Sequence, residues 1–368
     1  MASTGGLYVF QDSGIPRNSD HYTTLVLTHG YAWHSGIFTK MIPFAEKYNT
    51  RIVLLNRRDY PGARPYTDQE LAFVQPANAE TDEDAREGPW LFMRDRAAEL
   101  YEWLAIAVKE GTILPVDHHT NIGGVIVAGW SFGAVWMTAF LAHGELASNV
   151  HGVNLGNFVR RVVLFDPPYH SLGYPSPAKP WNPLIDPSFS PEEVVVKFAE
   201  WVSGYYKHGD TPDDLEYRVP LREPSPTLLR LTSEERAGAL CDDPGSPGGS
   251  DDLLLKSGLS VGLFDRLRRT AFYLPGDSPR FRDSTETWKD LQVRYIWCDQ
   301  SVWDMPWGTW ALRAELVQEQ QKGTPMRRIE IVRLHQANHF VHWDQPERAL
   351  QVLVCDAAND ADAGLGGL

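Results

Sequence analysis

A chain of 368 residues is long enough to bury a large core, and 48 acidic against 34 basic residues, a net charge of −14, argue against nucleic acid or an anionic membrane surface as its main partner. Three cysteines, Cys241, Cys298 and Cys355, are too few and too widely spaced for a disulfide framework or a zinc knuckle. The N-terminal stretch lacks a basic segment followed by an apolar one, and no run approaches the ~20 apolar residues that span a bilayer, so the expected setting is soluble and cytoplasmic, with no membrane partner.

Taken in order, Leu7 to Phe10 reads as a first strand and Thr23 to Thr28 as a stronger one, β-branched and ending at His29-Gly30. The loop Tyr31-Ala-Trp-His-Ser-Gly36 follows. Ile37 to Tyr48 has helical spacing, and Arg51 to Asn56 is a buried strand closed by the loop Arg57 to Gly62. The charge run Glu80 to Glu87 reads as a solvated surface, and Trp90 to Lys109 as an amphipathic helix.

Gly124 to Phe140 organises the rest of the chain. A β-branched run stops at Gly129 and an apolar helical run begins after Gly133, so Ser131 falls on the corner between strand and helix. Gly-x-Ser-x-Gly in that context is a nucleophile elbow: glycines let strand and helix approach closely, and the serine is held exposed in a strained turn. The first amides of the helix then face whatever Ser131 binds, which favours negative charge there. A strand ending in His29-Gly30 is where such an arrangement finds a second donor, the backbone N–H of Tyr31.

Arg160 to Asp166 is another strand, and the alternation of strands with helices predicts a mainly parallel sheet covered on both faces. That alternation then breaks. Residues 167–288 hold 16 of the 26 prolines, short helices at Ser190 to Tyr206 and Leu259 to Tyr273, and an acidic, glycine-rich patch, Asp242 to Asp252, not expected to pack. We read 167–288 as a lid between two halves of a core, 1–166 and 289–368. The core resumes with the strand Val293 to Cys298, a helix from Thr309 to Gln321, the strand Arg328 to Leu334 and a short terminal helix through Val354, leaving 357–368 as a frayed tail.

A serine nucleophile needs a base and a group that orients it. His339, just beyond the last core strand, qualifies by position; His335 and His342 compete, the latter reading as a packing or capping residue. Three carboxylates fall on plausible loops: Asp166, Asp299 and Asp304.

At these residues the sequence resembles the α/β-hydrolase superfamily, through His29-Gly30, Gly129-Trp-Ser-Phe-Gly133 and Asn338-His-Phe-Val-His-Trp-Asp-Gln-Pro-Glu347. The likeness covers about 20–166 and 290–355 and leaves out the insertion. It implies an α/β fold, a mostly parallel central sheet flanked by helices with a large helical or irregular lid, in which Ser131 is the nucleophile, His339 the base, and the amides of Phe132 and Tyr31 the oxyanion hole. Relatives usually carry Gly-x-x-Asp after the penultimate strand, where this chain has Cys298-Asp-Gln-Ser301. The stretch Tyr295 to Asp304 is similar to a subset whose serine occupies that acid position and whose later aspartate serves instead. That likeness points to Asp304, with Asp299 and Asp166 as alternatives. Epoxide hydrolases and haloalkane dehalogenases of the superfamily use aspartate where Ser131 stands, which removes those reactions.

Trp33, Trp130, Trp303 and Trp307 lie beside predicted site residues and suit an apolar or aromatic substrate. No phosphate loop, metal-ligand cluster or dinucleotide fingerprint occurs, so no metal and no cofactor is expected. The expected function is a serine hydrolase acting on a small-molecule carboxylic ester or lactone; the alternative is a non-hydrolytic member of the same fold, a small-ligand receptor, lyase or acyltransferase.

Overall fold

In a computed structural model the chain is described for residues 3–75, 81–117, 119–274 and 286–356. The expected frayed tail, 357–368, lies outside the described residues. An eight-stranded sheet carries the fold. Strands β1 (Ser3–Thr4) and β2 (Leu7–Asp12) are antiparallel at one edge. Next come β3 (Thr23–Thr28) and β4 (Thr50–Asn56), joined by a 3₁₀ helix over Ser35–Phe44, which contains Pro43. Helices α1 (Asp68–Ala72) and α2 (Asp82–Lys109) and a two-stranded hairpin, β5 (Val116–Asp117) and β6 (Ile122–Gly123), lead to β7 (Val125–Trp130), α3 (Ala134–Ala142) and β8 (Val159–Phe165). After a long excursion the chain returns with β9 (Gln292–Cys298), α10 (Asp304–Gln321), β10 (Ile329–Leu334), α11 (Val341–Asp344) and α12 (Pro346–Val354).

The spatial order is β1-β2-β4-β3-β7-β8-β9-β10, parallel from β4 to β10. Every residue of β3, β4, β7 and β8 is buried, as continuous apolar strands covered on both faces should be. The two-residue period sorts them: Val26, Val53, Val127 and Leu164 pack with α2 and α3, while Leu25, Leu54, Ile126 and Val163 pack with the 3₁₀ helix and α12. All nine residues of α3 are buried. The carboxyl ends of β3, β7, β8 and β9 therefore meet at one rim.

The excursion between β8 and β9 contains α4 (Pro191–Val202), α5 (Thr227–Arg230), α6 (Ser233–Ala237), α7 (Ser250–Val261), α8 (Leu263–Phe272) and α9 (Glu286–Lys289). It is not one body. Leu254, Leu263, Phe264, Leu267, Ala271 and Phe272 belong to the main core with the sheet. Trp201, Tyr206 and Leu215 instead form a small cluster with Val302, Trp303 and Met305. The acidic patch read as unpacked is mostly exposed over 242–248 but packs at its end, where Ser250, Asp251 and Asp252 are buried. Among the described residues no helix is long and apolar enough to cross a membrane.

Candidate active site

The turn between β7 and α3 is built for close approach. A Cβ on Gly129 would lie 2.3 Å from the carbonyl oxygen of Gly133, and one on Gly133 would lie 2.6 Å from that of His29, so only glycine fits either place. Between them Ser131 adopts φ 55°, a left-handed conformation that costs a residue with a side chain about 1–3 kcal/mol and persists only where the surroundings impose it. From residue 123 to residue 144 every position is buried except Ser131. The strand and helix thus offer one side chain to solvent, a hydroxyl.

The carboxylate facing the site histidine is Asp166, not Asp304. Asp166 directly follows β8, with φ 49°, and is fully buried. Its Oδ2 lies 2.7 Å from Nδ1 of His339 and accepts from the Ser301 hydroxyl at 2.6 Å, while Oδ1 accepts from the amide of Cys298 at 2.8 Å. A carboxylate only accepts, so Nδ1 of His339 carries the proton and Nε2 keeps its lone pair. The serine occupying the position where an aspartate was looked for is a donor to the aspartate on the neighbouring strand.

Asp304 was expected on a loop with reach, but α10 begins at this residue, five positions earlier than the helix expected from Thr309. Its side chain is buried near Tyr169 and Tyr206, and its Oδ1 has no hydrogen-bond partner among the described residues. Burial pushes this carboxyl up to about 8. Asp299 is engaged elsewhere, accepting from Arg333 Nε at 3.1 Å, from His335 Nδ1 at 2.9 Å and from the amide of Gln336 at 2.8 Å.

His339 is held from behind by Trp130. The two rings stack at 4.6 Å, 29° from parallel, and the indole N–H donates to the His339 carbonyl at 3.0 Å. Asn338 anchors the same loop to the insertion, donating to the carbonyl of Ser203 at 2.7 Å and to Thr227 Oγ1 at 2.8 Å. His342 packs among Trp130, Phe38 and Phe165, and burial holds it well below the ordinary histidine range.

Of the tryptophans singled out from the sequence, Trp130 and Trp303 are almost fully buried, and Trp33 packs edge-on against Phe340. The Trp303 and Trp307 indoles donate to the carbonyls of Trp181 and Pro175, both at 2.8 Å, and so fasten the insertion to the start of α10.

The loop after β3 lies directly on the elbow, since a Cβ on Gly30 would come 2.8 Å from Cβ of Ser131. Burial, with the Arg57 charge beside it, holds His29 well below its ordinary range. The neutral ring accepts from the Arg57 amide at Nε2, 3.1 Å, leaving Nδ1–H to donate to the Gly30 carbonyl at 3.0 Å. The Arg57 side chain makes a bidentate pair with Asp251, 2.7 Å on each arm, and also donates to the Gly30 carbonyl at 2.8 Å. Removing one member of such a buried pair costs about 3–5 kcal/mol, because the other charge is left uncompensated. Arg57, Tyr60 and Asp251 were not singled out from sequence. The only signal was an arginine pair closing a buried strand.

A search of curated proteins finds no match. Solved structures to which the chain is similar include an esterase from Exiguobacterium antarcticum (TM-score 0.45, 12% identity, 96% of this chain and 98% of that one). A laboratory-evolved variant of potato epoxide hydrolase has TM-score 0.45 at 12% identity over 96% of each chain. A structure described under carboxylesterases of Nitrososphaera gargenis has TM-score 0.40 at 16% identity over 96% of this chain and 95% of that one. A family model described as "Alpha/beta hydrolase family" matches residues 25–352, nearly the whole chain, and the protein belongs to that family.

Proposed function

We propose that the protein is a serine hydrolase that cleaves a carboxylic ester or lactone of a small to medium apolar or aromatic molecule through an acyl-enzyme. The observation that carries this reading is the buried hydrogen bond between Asp166 and His339, set beside the one side chain of the elbow that is not buried, Ser131. In this mechanism Ser131 Oγ attacks the carbonyl carbon as its proton passes to Nε2 of His339. The electron pair of the C=O bond moves to oxygen, and that charge is met by the amide N–H groups of Tyr31 and Phe132. Collapse breaks the bond to the leaving oxygen, which takes the proton from His339. Water then repeats the sequence on the acyl-enzyme and releases the acid. Asp166, now in the role first given to Asp304, fixes the tautomer of His339 and stabilises its cation.

The half-buried ring of Tyr31, packed edge to face on Phe132 at 5.8 Å, supports an apolar or aromatic acyl group beside the proposed oxyanion site. A carboxylate nucleophile, as epoxide opening in this superfamily uses, is absent at position 131. The test is a panel of short and medium aryl esters with a fluorophosphonate probe. Wild type should turn over at least one ester and be labelled once, and Ser131→Ala should lose both. Labelling that survives Ser131→Ala, or ligand binding with no turnover of any ester, overturns the reading.

A further inference from the structure

Gly30 and Tyr31 share a planar trans peptide, so the Gly30 carbonyl and the Tyr31 N–H point in opposite directions and turn only together. That carbonyl is gripped by His29 Nδ1–H at 3.0 Å and by Arg57 Nη2 at 2.8 Å. Arg57 has little freedom of its own. Its terminal nitrogens each lie 2.7 Å from an oxygen of Asp251, and its guanidinium sits 3.9 Å from the ring centre of Trp136. Tyr60 extends the grip by one residue, donating to Asp251 Oδ2 at 2.6 Å and accepting from the Ala32 amide at 3.1 Å.

Asp251 lies on α7, in the insertion, and the same part of the insertion holds the loop by its backbone. The amide of Cys241 donates to the Ala32 carbonyl at 2.8 Å, and the amide of His34 donates to that of Ala239 at 2.8 Å. The Tyr31 hydroxyl donates to the Gly245 carbonyl at 2.7 Å. A buried ion pair seldom outdoes apolar packing in stability, but a planar bidentate pair fixes direction as no apolar contact can.

We propose that Arg57, clamped by Asp251, is a positioning residue that aims the Tyr31 N–H at the reacting oxygen, and that residues 239–251 are a fixed wall of the site rather than a moving cover. This rests on the reading of Tyr31 as an oxyanion donor. The bond geometry is specific to arginine: a lysine at 57 keeps the charge but, with a single nitrogen, does not reproduce the planar fork on the two Asp251 oxygens.

The experiment compares wild type with Arg57→Lys, Asp251→Asn and Tyr60→Phe on an aryl ester and on a trifluoromethyl ketone with the same acyl group, whose serine adduct carries the oxyanion. Arg57→Lys and Asp251→Asn should lower kcat by about 10- to 100-fold with KM within about twofold, and weaken the ketone by the same factor, since losing one oxyanion donor outright costs about 10²–10³. Tyr60→Phe, which leaves the ion pair in place, should fall by a smaller factor and serves if the charged variants do not fold. Folded variants with unchanged kcat and ketone affinity, or with loss confined to KM, overturn the proposal. Amide exchange of peptides 29–35 and 239–246 needs no substrate: in Asp251→Asn both should lose protection together, and independent behaviour overturns the clamp. If wild type cleaves no ester, the catalytic reading fails on that control, while the exchange result still decides the clamp.

Discussion

Asp166 owes its place to a backbone conformation that few residues with a side chain adopt, φ 49° at the end of β8, which turns the carboxylate toward the next strand and the histidine loop. Asp304, three residues beyond Ser301, spends its side chain on an aromatic interior instead. The two aspartates therefore give opposite predictions. Asp166→Asn should leave the fold intact and lower ester turnover by ~10⁴, because an amide in place of the carboxylate favours the wrong histidine tautomer; Asp304→Asn should keep turnover within a few fold. Turnover lost in Asp304→Asn and kept in Asp166→Asn would sink the assignment. Asp304 should show itself in stability. An aspartate in the unfolded chain loses its proton near pH 4, whereas the folded protein holds it on Asp304 up to about 8. Between those values the folded state binds one more proton, so this residue lowers stability as pH rises, by about 1.4 kcal/mol per unit, and adds no further slope above about 8. Denaturant midpoints of wild type and Asp304→Asn should converge near pH 4 and separate toward pH 8, the variant being the more stable. A constant gap across that range would show that Asp304 is ionised throughout.

The strands were legible because each is a β-branched run bounded by glycine or a polar turn, and a strand buried on both faces leaves no other way to satisfy its sequence. Val125 to Val127 and Val293 to Cys298 both appear where expected, and the elbow follows from the spacing of Gly129, Ser131 and Gly133. Helix starts were less legible. α10 begins at Asp304 with Pro306 in its first turn, a position proline tolerates, but the dense tryptophans around it hid the helical pattern and made a loop of its start. The acidic patch at 242–252 failed for a different reason. Composition marks it as solvent-loving, and its partner, Arg57, lies 194 residues from Asp251, a pairing no local pattern carries. The choice of acid failed in the same way, since Asp166 and His339 are 173 residues apart and meet across the loops that follow β8 and β10, two strands apart in the sheet.

Across the whole molecule the insertion divides into a part that shares the main core extensively and a part that touches it at few residues, and the division bears on access to Ser131. Residues 250–272 contribute Leu254, Phe264, Leu267 and Phe272 to the cluster that holds the sheet. Residues 181–229 rest on a small aromatic cluster, touch the core on the sheet's other face through Leu228, Ala199 and Val202, and leave Ile185 73%, Val219 68%, Leu184 54% and Val196 54% exposed. Local opening is cheapest where few apolar contacts must be broken. We therefore expect amide exchange to be slow at 250–272, close to the rate of β7 and β8, and faster by at least about tenfold at 181–229, so that access to the site comes from movement of this outer part over a stationary 239–251. A covalent ester mimic on Ser131 should then slow exchange at 181–229 and leave 250–272 unchanged. Protection at 181–229 already equal to that of the sheet in the free protein, or a mimic that slows 250–272 instead, would place the moving element on the other side of the site.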